Sequence, residues 1–241
     1  MEESTTPVQV TVPPNEGMLK DWASDQKAFK GVPWGKAMMW IFLVSDTFVF
    51  SIFLISYMTV RFSAKSEWPN PSEVFGLHIG DYNVPLLLIA IMTFILITSS
   101  GTMALAVKYG YEKNRKMCAI LMLATAVFGA SFVGMQAFEW TKLIMEGVRP
   151  WENPFGAPQF GSIFFMITGF HGTHVTIGVI WMAFLAYSSN SGALRSDNAL
   201  DLEIAGLYWH FVDIVWIVIF TVIYLISAND APPPGMETIT H

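Results

Sequence analysis

Five long apolar runs limit what this chain can fold into more than any other feature. They cover residues 34–60, 84–107, 117–144, 160–187 and 204–227. Each is longer than the roughly 20 residues that an α-helix needs to cross a hydrocarbon core of about 30 Å. Only 13% of the 241 residues are charged, against about 25% in a typical soluble domain. The sequence therefore predicts an all-α polytopic membrane protein, a bundle of five transmembrane helices.

The segments outside the runs predict tails and loops rather than further domains. Residues 1–33 are polar, acidic and proline-bearing, without a signal-peptide pattern, so we expect a flexible cytoplasmic tail rather than a cleaved leader. Residues 228–241 are expected to form a short external tail. The loop at 61–83 contains Trp68, Pro69 and Pro71, a composition that favours an ordered cap at the outer interface.

The distribution of basic residues predicts the orientation, because loops rich in Lys and Arg stay in the cytoplasm. With five spans, nine basic residues lie on the side of the N-terminus and four on the other side. The N-terminus is therefore predicted to be cytoplasmic and the C-terminus external. The formal net charge of −6 argues against a nucleic-acid partner. The single cysteine, Cys118, excludes an intrachain disulfide and a multi-cysteine metal site.

Titratable and polar side chains inside the runs are the candidate functional residues, because such groups are costly in a bilayer and need partners there. Residues three apart share a helix face, which places Gln136 with Glu139 and His171 with His174. At about 100° per residue, Glu203, Gly206, His210 and Asp213 form one stripe. We expect these groups to converge inside the bundle. The candidates are Asp46, Gln136, Glu139, His171, His174, Glu203, His210 and Asp213.

Residue chemistry alone leaves several interpretations of these groups open. His171 and His174 share one helix and cannot bind both faces of a heme. Glu139, His171, His174 and Glu203 are suitable metal ligands, but the paired Glu-x-x-His motifs of di-iron bundles are absent from the sequence. A proton relay in a carrier is possible in principle, although no inverted repeat supports it. The interpretation with most weight is that these groups hydrogen-bond across helices and fix their packing.

The order of motifs resembles one known family. The segments WIFLVSDTFVFSIF, LITSSGTMALA, GASFVGMQAFEW, FFMITGFHGTHVTIGVIW and LEIAGLYWHFVDIVWIVIF follow one another along the chain. Together they look like subunit III of the heme-copper terminal oxidases, the cytochrome c oxidase and quinol oxidase subunit III family. GFHGTHVTIG and YWHFVDIVW are the most specific segments, and the resemblance covers nearly all of the chain outside the tails.

The resemblance implies a small helical subunit that packs against the catalytic subunit I, with subunit II in the same complex. It implies no catalytic, cofactor-binding or metal-binding residue in this chain, since the hemes and copper belong to partner subunits. It further implies bound phospholipid, support of proton uptake and of oxygen access, and location in the plasma (inner) membrane of a prokaryote.

Carried over by position, Asp46 stands where many members have a carbodiimide-reactive glutamate in a Ser-Glu pair. Here the pair is Ser45-Asp46, a form that resembles the quinol-oxidase and short-subunit branches. Glu139, His171, His174, Glu203, His210 and Asp213 also match family positions. The long form has seven spans, and this chain lacks the first two of them, which in that form help to hold lipids in a cleft.

The expected function is therefore that of a non-catalytic subunit III of a proton-pumping heme-copper oxygen reductase. Two alternatives stay open: a related subunit of a nitric oxide reductase complex, and a stand-alone proton-coupled carrier that uses Asp46, Glu139 and His210. The sequence does not choose the electron donor among cytochrome c, quinol and direct transfer from another complex.

Overall fold

The computed structural model describes residues 32–64, 66–79, 82–191 and 199–226. Within these ranges, five helices are long and apolar enough to cross a membrane, which confirms the predicted fold class. The predicted tails lie outside the described residues, except for residues 32 and 33. The helices are α1 (Trp34–Ser63), α2 (Leu87–Tyr111), α3 (Arg115–Met145), α4 (Gln159–Asn190) and α5 (Ala199–Ile219), and a π-helical turn, Phe220–Leu225, continues α5.

The chain divides after Phe42 into two compact units. The described part of the first unit holds the start of α1. The second unit begins at Leu43 and contains every side-chain contact considered below.

Helices α2 to α5 pack as a closed ring in the second unit. Helix α3 packs against α2 and α4, and α5 packs against α4 and α2. From Leu43 onward, α1 contacts α4 through aromatic rings. Phe50 and Phe53 each lie with their ring centroid 5.2 Å from that of Phe170. Apolar and aromatic side chains thus hold the interior together, as van der Waals packing does in membrane proteins.

One tryptophan of α5 joins all four helices of the ring. Trp209 is fully buried, and its indole N–H donates a 2.9 Å hydrogen bond to Ser99 Oγ on α2. Its ring lies against two glycines: a Cβ at Gly129 of α3 would be 2.5 Å from Cη2, and a Cβ at Gly178 of α4 would be 2.8 Å from Cζ3. No residue larger than glycine fits at either position without a shift of the ring.

The loops before α2 and before α4 meet at one end of the ring, which we call the hairpin end. The first loop contains a helical turn, Pro71–Val74, and an antiparallel hairpin of β1 (Gly76–Ile79) and β2 (Tyr82–Pro85). The backbone N–H of Ala157 donates to Glu67 O at 3.0 Å. Gly156 beside it has φ of +141°, and a Cβ there would lie 2.4 Å from Glu67 O, so this junction requires glycine.

Candidate functional site

The first buried polar contact joins α1 and α4. Asp46 Oδ2 lies 3.3 Å from His174 Nε2, and both side chains are largely buried, with 7% and 12% exposed. The other ring nitrogen, Nδ1, lies 2.9 Å from the carbonyl oxygen of Phe170 on the preceding turn. Sequence analysis identified both residues as candidates but did not predict that they meet.

Two acceptors face the ring of His174. The carbonyl oxygen of Phe170 only accepts hydrogen bonds, so Nδ1 donates to it. Nε2 faces the carboxyl group of Asp46. A carboxyl group and an imidazole from two helices that lie this close are the kind of partner that polar side chains need in a membrane interior.

The second contact lies within α3. Gln136 Nε2 donates to Glu139 Oε2 at 3.3 Å, as their spacing of three residues predicts. Gln136 is 5% exposed and Glu139 is 4% exposed. Gln136 Oε1 has no hydrogen-bond partner among the described residues.

His171 lies in an aromatic box. Its side chain is fully buried, stacked on Trp216 with a centroid distance of 5.1 Å, and Phe132 meets it edge-on at 5.7 Å. Neither ring nitrogen has a hydrogen-bond partner in the described part of the chain. Although His171 and His174 are three residues apart, the first contacts rings and the second contacts a carboxyl group.

The predicted stripe on α5 faces α2. His210 Nδ1 lies 2.5 Å from Ser100 Oγ, and Glu203 Oε2 accepts a 2.9 Å hydrogen bond from the Tyr111 hydroxyl. Between them, a Cβ at Gly206 would lie 3.3 Å from a methyl group of Val107. The fourth member, Asp213, is 4% exposed and lies beside the Ser100 hydroxyl, the same group that His210 contacts.

Sequence reasoning missed the hydroxyl groups on α2 that bond to α5. Besides Ser99 and Ser100, Thr93 Oγ1 accepts a 3.0 Å hydrogen bond from the indole N–H of Trp216. Thr102 also lies 2.8 Å, hydroxyl to hydroxyl, from Thr125 of α3. The signal was present in LITSSGTMALA, where hydroxyl side chains cluster in an apolar run. Such side chains bond across helices in a bilayer.

The candidates therefore lie in separate contacts rather than in one cluster. Within the described residues, no group of three His, Cys, Asp or Glu side chains is close enough to hold a metal ion. The cross-helix contacts tie α1 to α4 and α5 to α2. Chemically, they can fix helix packing, and the Asp46–His174 pair can hold a proton.

Comparisons with known proteins identify the family of this chain. The model of the family described as Cytochrome c oxidase subunit III matches residues 20–228. Curated relatives named "Probable quinol oxidase subunit 3" include one from Staphylococcus epidermidis, 34% identical over 80% of this chain and 89% of the relative. Another, from Staphylococcus saprophyticus, is 34% identical over 84% of this chain and 94% of the relative. The chain belongs to the cytochrome c oxidase subunit III family and is a subunit of a heme-copper oxidase complex.

Proposed function

We propose that this chain is a non-catalytic subunit that stabilises the catalytic subunit I of an oxygen-reducing complex and supports proton uptake and oxygen access. The observation that carries the proposal is the use of the polar groups: Asp46, Glu203 and His210 each contact a neighbouring helix of the same chain. Groups that face one another across a packed interior are suited to fixing a rigid bundle for docking. The hemes and copper are assigned to the partner subunits.

Quinol is the electron donor that we propose for the complex. The support is the name of the relatives, which match this chain at 34% identity over nearly their whole length. The test is oxygen consumption by purified complex with a reduced quinol or with reduced cytochrome c as donor. We expect turnover with quinol alone. Turnover with cytochrome c and none with quinol would overturn this part of the proposal.

Proton uptake is assigned to the Asp46–His174 pair, because it is a largely buried contact between a carboxyl group and an imidazole, and such groups can form proton relays in a membrane. An Asp46→Asn variant keeps the shape of the side chain but cannot release a proton. If the pair feeds protons to the complex, Asp46→Asn slows proton uptake during turnover while the chain stays bound. Unchanged uptake would restrict the pair to a packing role.

Membership of a complex also separates this proposal from a stand-alone carrier. An affinity tag on this chain is expected to recover a heme-containing subunit from solubilised membranes. A chain that purifies alone and transports protons in vesicles, with Asp46→Asn abolishing the transport, would overturn the proposal.

We further propose the plasma membrane of a prokaryote as the location, with the N-terminus in the cytoplasm. The turn between α2 and α3, which carries Lys113 and is followed by Arg115 at the start of α3, is then cytoplasmic, and the loop with Trp151 is external. Because Cys118 is the only cysteine and is buried, single cysteines at Lys113 and Glu152 can be labelled selectively. An impermeant maleimide applied to intact cells should label position 152 and not position 113.

A further inference from the structure

His210 differs from the other polar candidates because its ring is partly exposed while one ring nitrogen lacks a partner. Nδ1 lies 2.5 Å from Ser100 Oγ, and the side chain is only partly buried. Nε2 makes no hydrogen bond within the described ranges and is not enclosed by the chain. In contrast, both ring nitrogens of His174 face an acceptor, the Asp46 carboxyl at Nε2 and the Phe170 carbonyl at Nδ1.

The position of His210 along α5 places its ring near the middle of the bilayer. The apolar span that contains it runs from Leu200 to Leu225. His210 is therefore 10 residues from one end and 15 from the other, or about 15 and 22 Å at about 1.5 Å per residue. Half of a hydrocarbon core of about 30 Å is about 15 Å. At this depth the lipid presents acyl chains rather than headgroups to the imidazole.

The residues around His210 indicate that its exposed edge opens toward the outside of the bundle. Residues four apart share a helix face, and Ile214, one turn further along α5, is 59% exposed. On α2, Gly101 and Ala104 follow Ser100 and are exposed. A Cβ at Gly101 would meet nothing within 4 Å. We call the surface formed by Ser100, Gly101, Ala104, His210 and Ile214 the α2–α5 face.

The free imidazole nitrogen identifies the kind of group that covers the α2–α5 face. Titratable side chains inside a membrane pair with other polar groups rather than with lipid. An acyl chain neither donates nor accepts a hydrogen bond, whereas a hydroxyl or amide side chain does both and pairs with Nε2 in either tautomer. Membrane helices associate through such side chains and through small residues that allow close approach. Gly101 and Ala104 supply the small residues here.

We propose that the α2–α5 face binds a transmembrane helix of another subunit of the oxidase complex, and that this helix places a hydroxyl or amide side chain against His210 Nε2. His210 then joins three helices, because Nδ1 contacts α2 and Nε2 contacts the partner. The inference rests on the proposed function, in that the chain acts by docking to partner subunits, and it assigns the docking surface and its polar contact.

Two substitutions separate the roles of the two ring nitrogens. His210→Asn keeps a hydrogen-bonding group near the position of Nδ1 and has none at Nε2, whereas His210→Gln keeps one near Nε2 and has none at Nδ1. With the catalytic subunit tagged, the recovery of this chain is measured relative to its amount in membranes. We expect His210→Asn to lower recovery about threefold to tenfold, as loss of one hydrogen bond between membrane helices does. His210→Gln should be recovered within about twofold of the wild type.

Photo-cross-linking provides a measurement that keeps His210 in place. An amino acid with a small diazirine side chain replaces Ile214 on the α2–α5 face or, as the control, Ile180 on α4. The two isoleucines are 59% and 66% exposed, and Ile180 is also deep in its helix, 10 residues before Asn190. In purified complex, the label at position 214 should link this chain to another subunit, and the label at position 180 should link it to lipid. This measurement decides the question even if the His210→Asn chain fails to accumulate in membranes.

The outcomes separate the possible occupants of the α2–α5 face. Unchanged recovery of His210→Asn, a loss in His210→Gln as large as that in His210→Asn, or a product at position 214 that contains only lipid would each overturn the proposal. Equal yields of the subunit product at positions 214 and 180, or a product with two copies of this chain, would overturn it as well. If the wild-type chain does not co-purify with the tagged catalytic subunit, the proposed function itself fails, independently of the α2–α5 face.

Discussion

Replacing Gly178 with alanine is expected to destabilise the chain through one clash. The new Cβ would lie 2.8 and 2.9 Å from two ring atoms of Trp209 and 3.2 Å from Tyr208 Cε1. The indole cannot move aside freely, because its N–H bonds to Ser99 and its Cη2 and Cζ2 atoms lie against Gly129. Overpacking of this kind costs about 1–3 kcal/mol. Loss of the indole hydrogen bond would add about 0.5–1.5 kcal/mol.

Gly172→Ala on the same helix is the matched control, since its Cβ meets nothing within 4 Å. Both variants share the gain of about 1 kcal/mol in helix propensity, so their difference isolates the clash. For a chain of this size, about 1 kcal/mol changes the midpoint of thermal unfolding by about 2–4 °C. We therefore expect Gly178→Ala to unfold about 2–12 °C below Gly172→Ala.

The assay follows the chain inside the purified complex. Cys118 is the only cysteine of this chain and is 1% exposed, so its alkylation on heating, read by mass spectrometry, reports unfolding of this chain alone. Equal midpoints for the two alanine variants would refute the reasoning. A second check uses Trp209→Leu, which removes the obstructing ring. In the Trp209→Leu background, Gly178→Ala should no longer unfold at a lower temperature than Gly172→Ala, because the two sites are coupled.

Three further variants test the buried polar contacts with the same unfolding assay. Asp46→Leu is expected to lower the free energy of unfolding by about 3 kcal/mol, because it leaves His174 without its carboxyl partner. The double variant Asp46→Leu/His174→Phe should recover part of that loss. An equal loss of stability in the single and the double variant would argue against the contact. His210→Leu removes the contact with Ser100 and should reduce assembly while the oxygen-reduction rate per assembled complex stays unchanged; full assembly with loss of heme would be inconsistent with this role. His171→Phe should be neutral or stabilising, since both ring nitrogens lack partners among the described residues and an apolar ring of similar shape removes that cost; a large loss of stability would show that the imidazole has a polar role.

The local sequence pattern was enough to predict the helices and the residues that share a helix face. The apolar runs predicted the five helices, and a spacing of three residues placed Gln136 beside Glu139. The stripe of Glu203 and His210 was also read from helical periodicity, and both residues do face α2. These features depend only on the 3.6-residue repeat and on the cost of polar groups in lipid.

Contacts between helices could not be predicted in this way. Asp46 and His174 are 128 positions apart in the sequence, and no periodicity tells which face of α1 meets which face of α4. The same holds for Trp209, whose site depends on glycines of two other helices. The partner of each polar candidate could not be predicted for the same reason: the contacts are separate, and each depends on which helix faces pack together.

The central claim is that this chain supports a catalyst and holds no redox centre. Removing the chain from the complex tests this claim most directly. The complex is purified with and without this chain, and heme spectra, the initial rate of quinol-driven oxygen consumption and the decay of that rate are recorded on both preparations. We predict unchanged heme spectra, an initial rate of the same order, and a faster decay without the chain. Loss of a heme signal, or no turnover from the first moment in a complex that retains its hemes, would contradict the account.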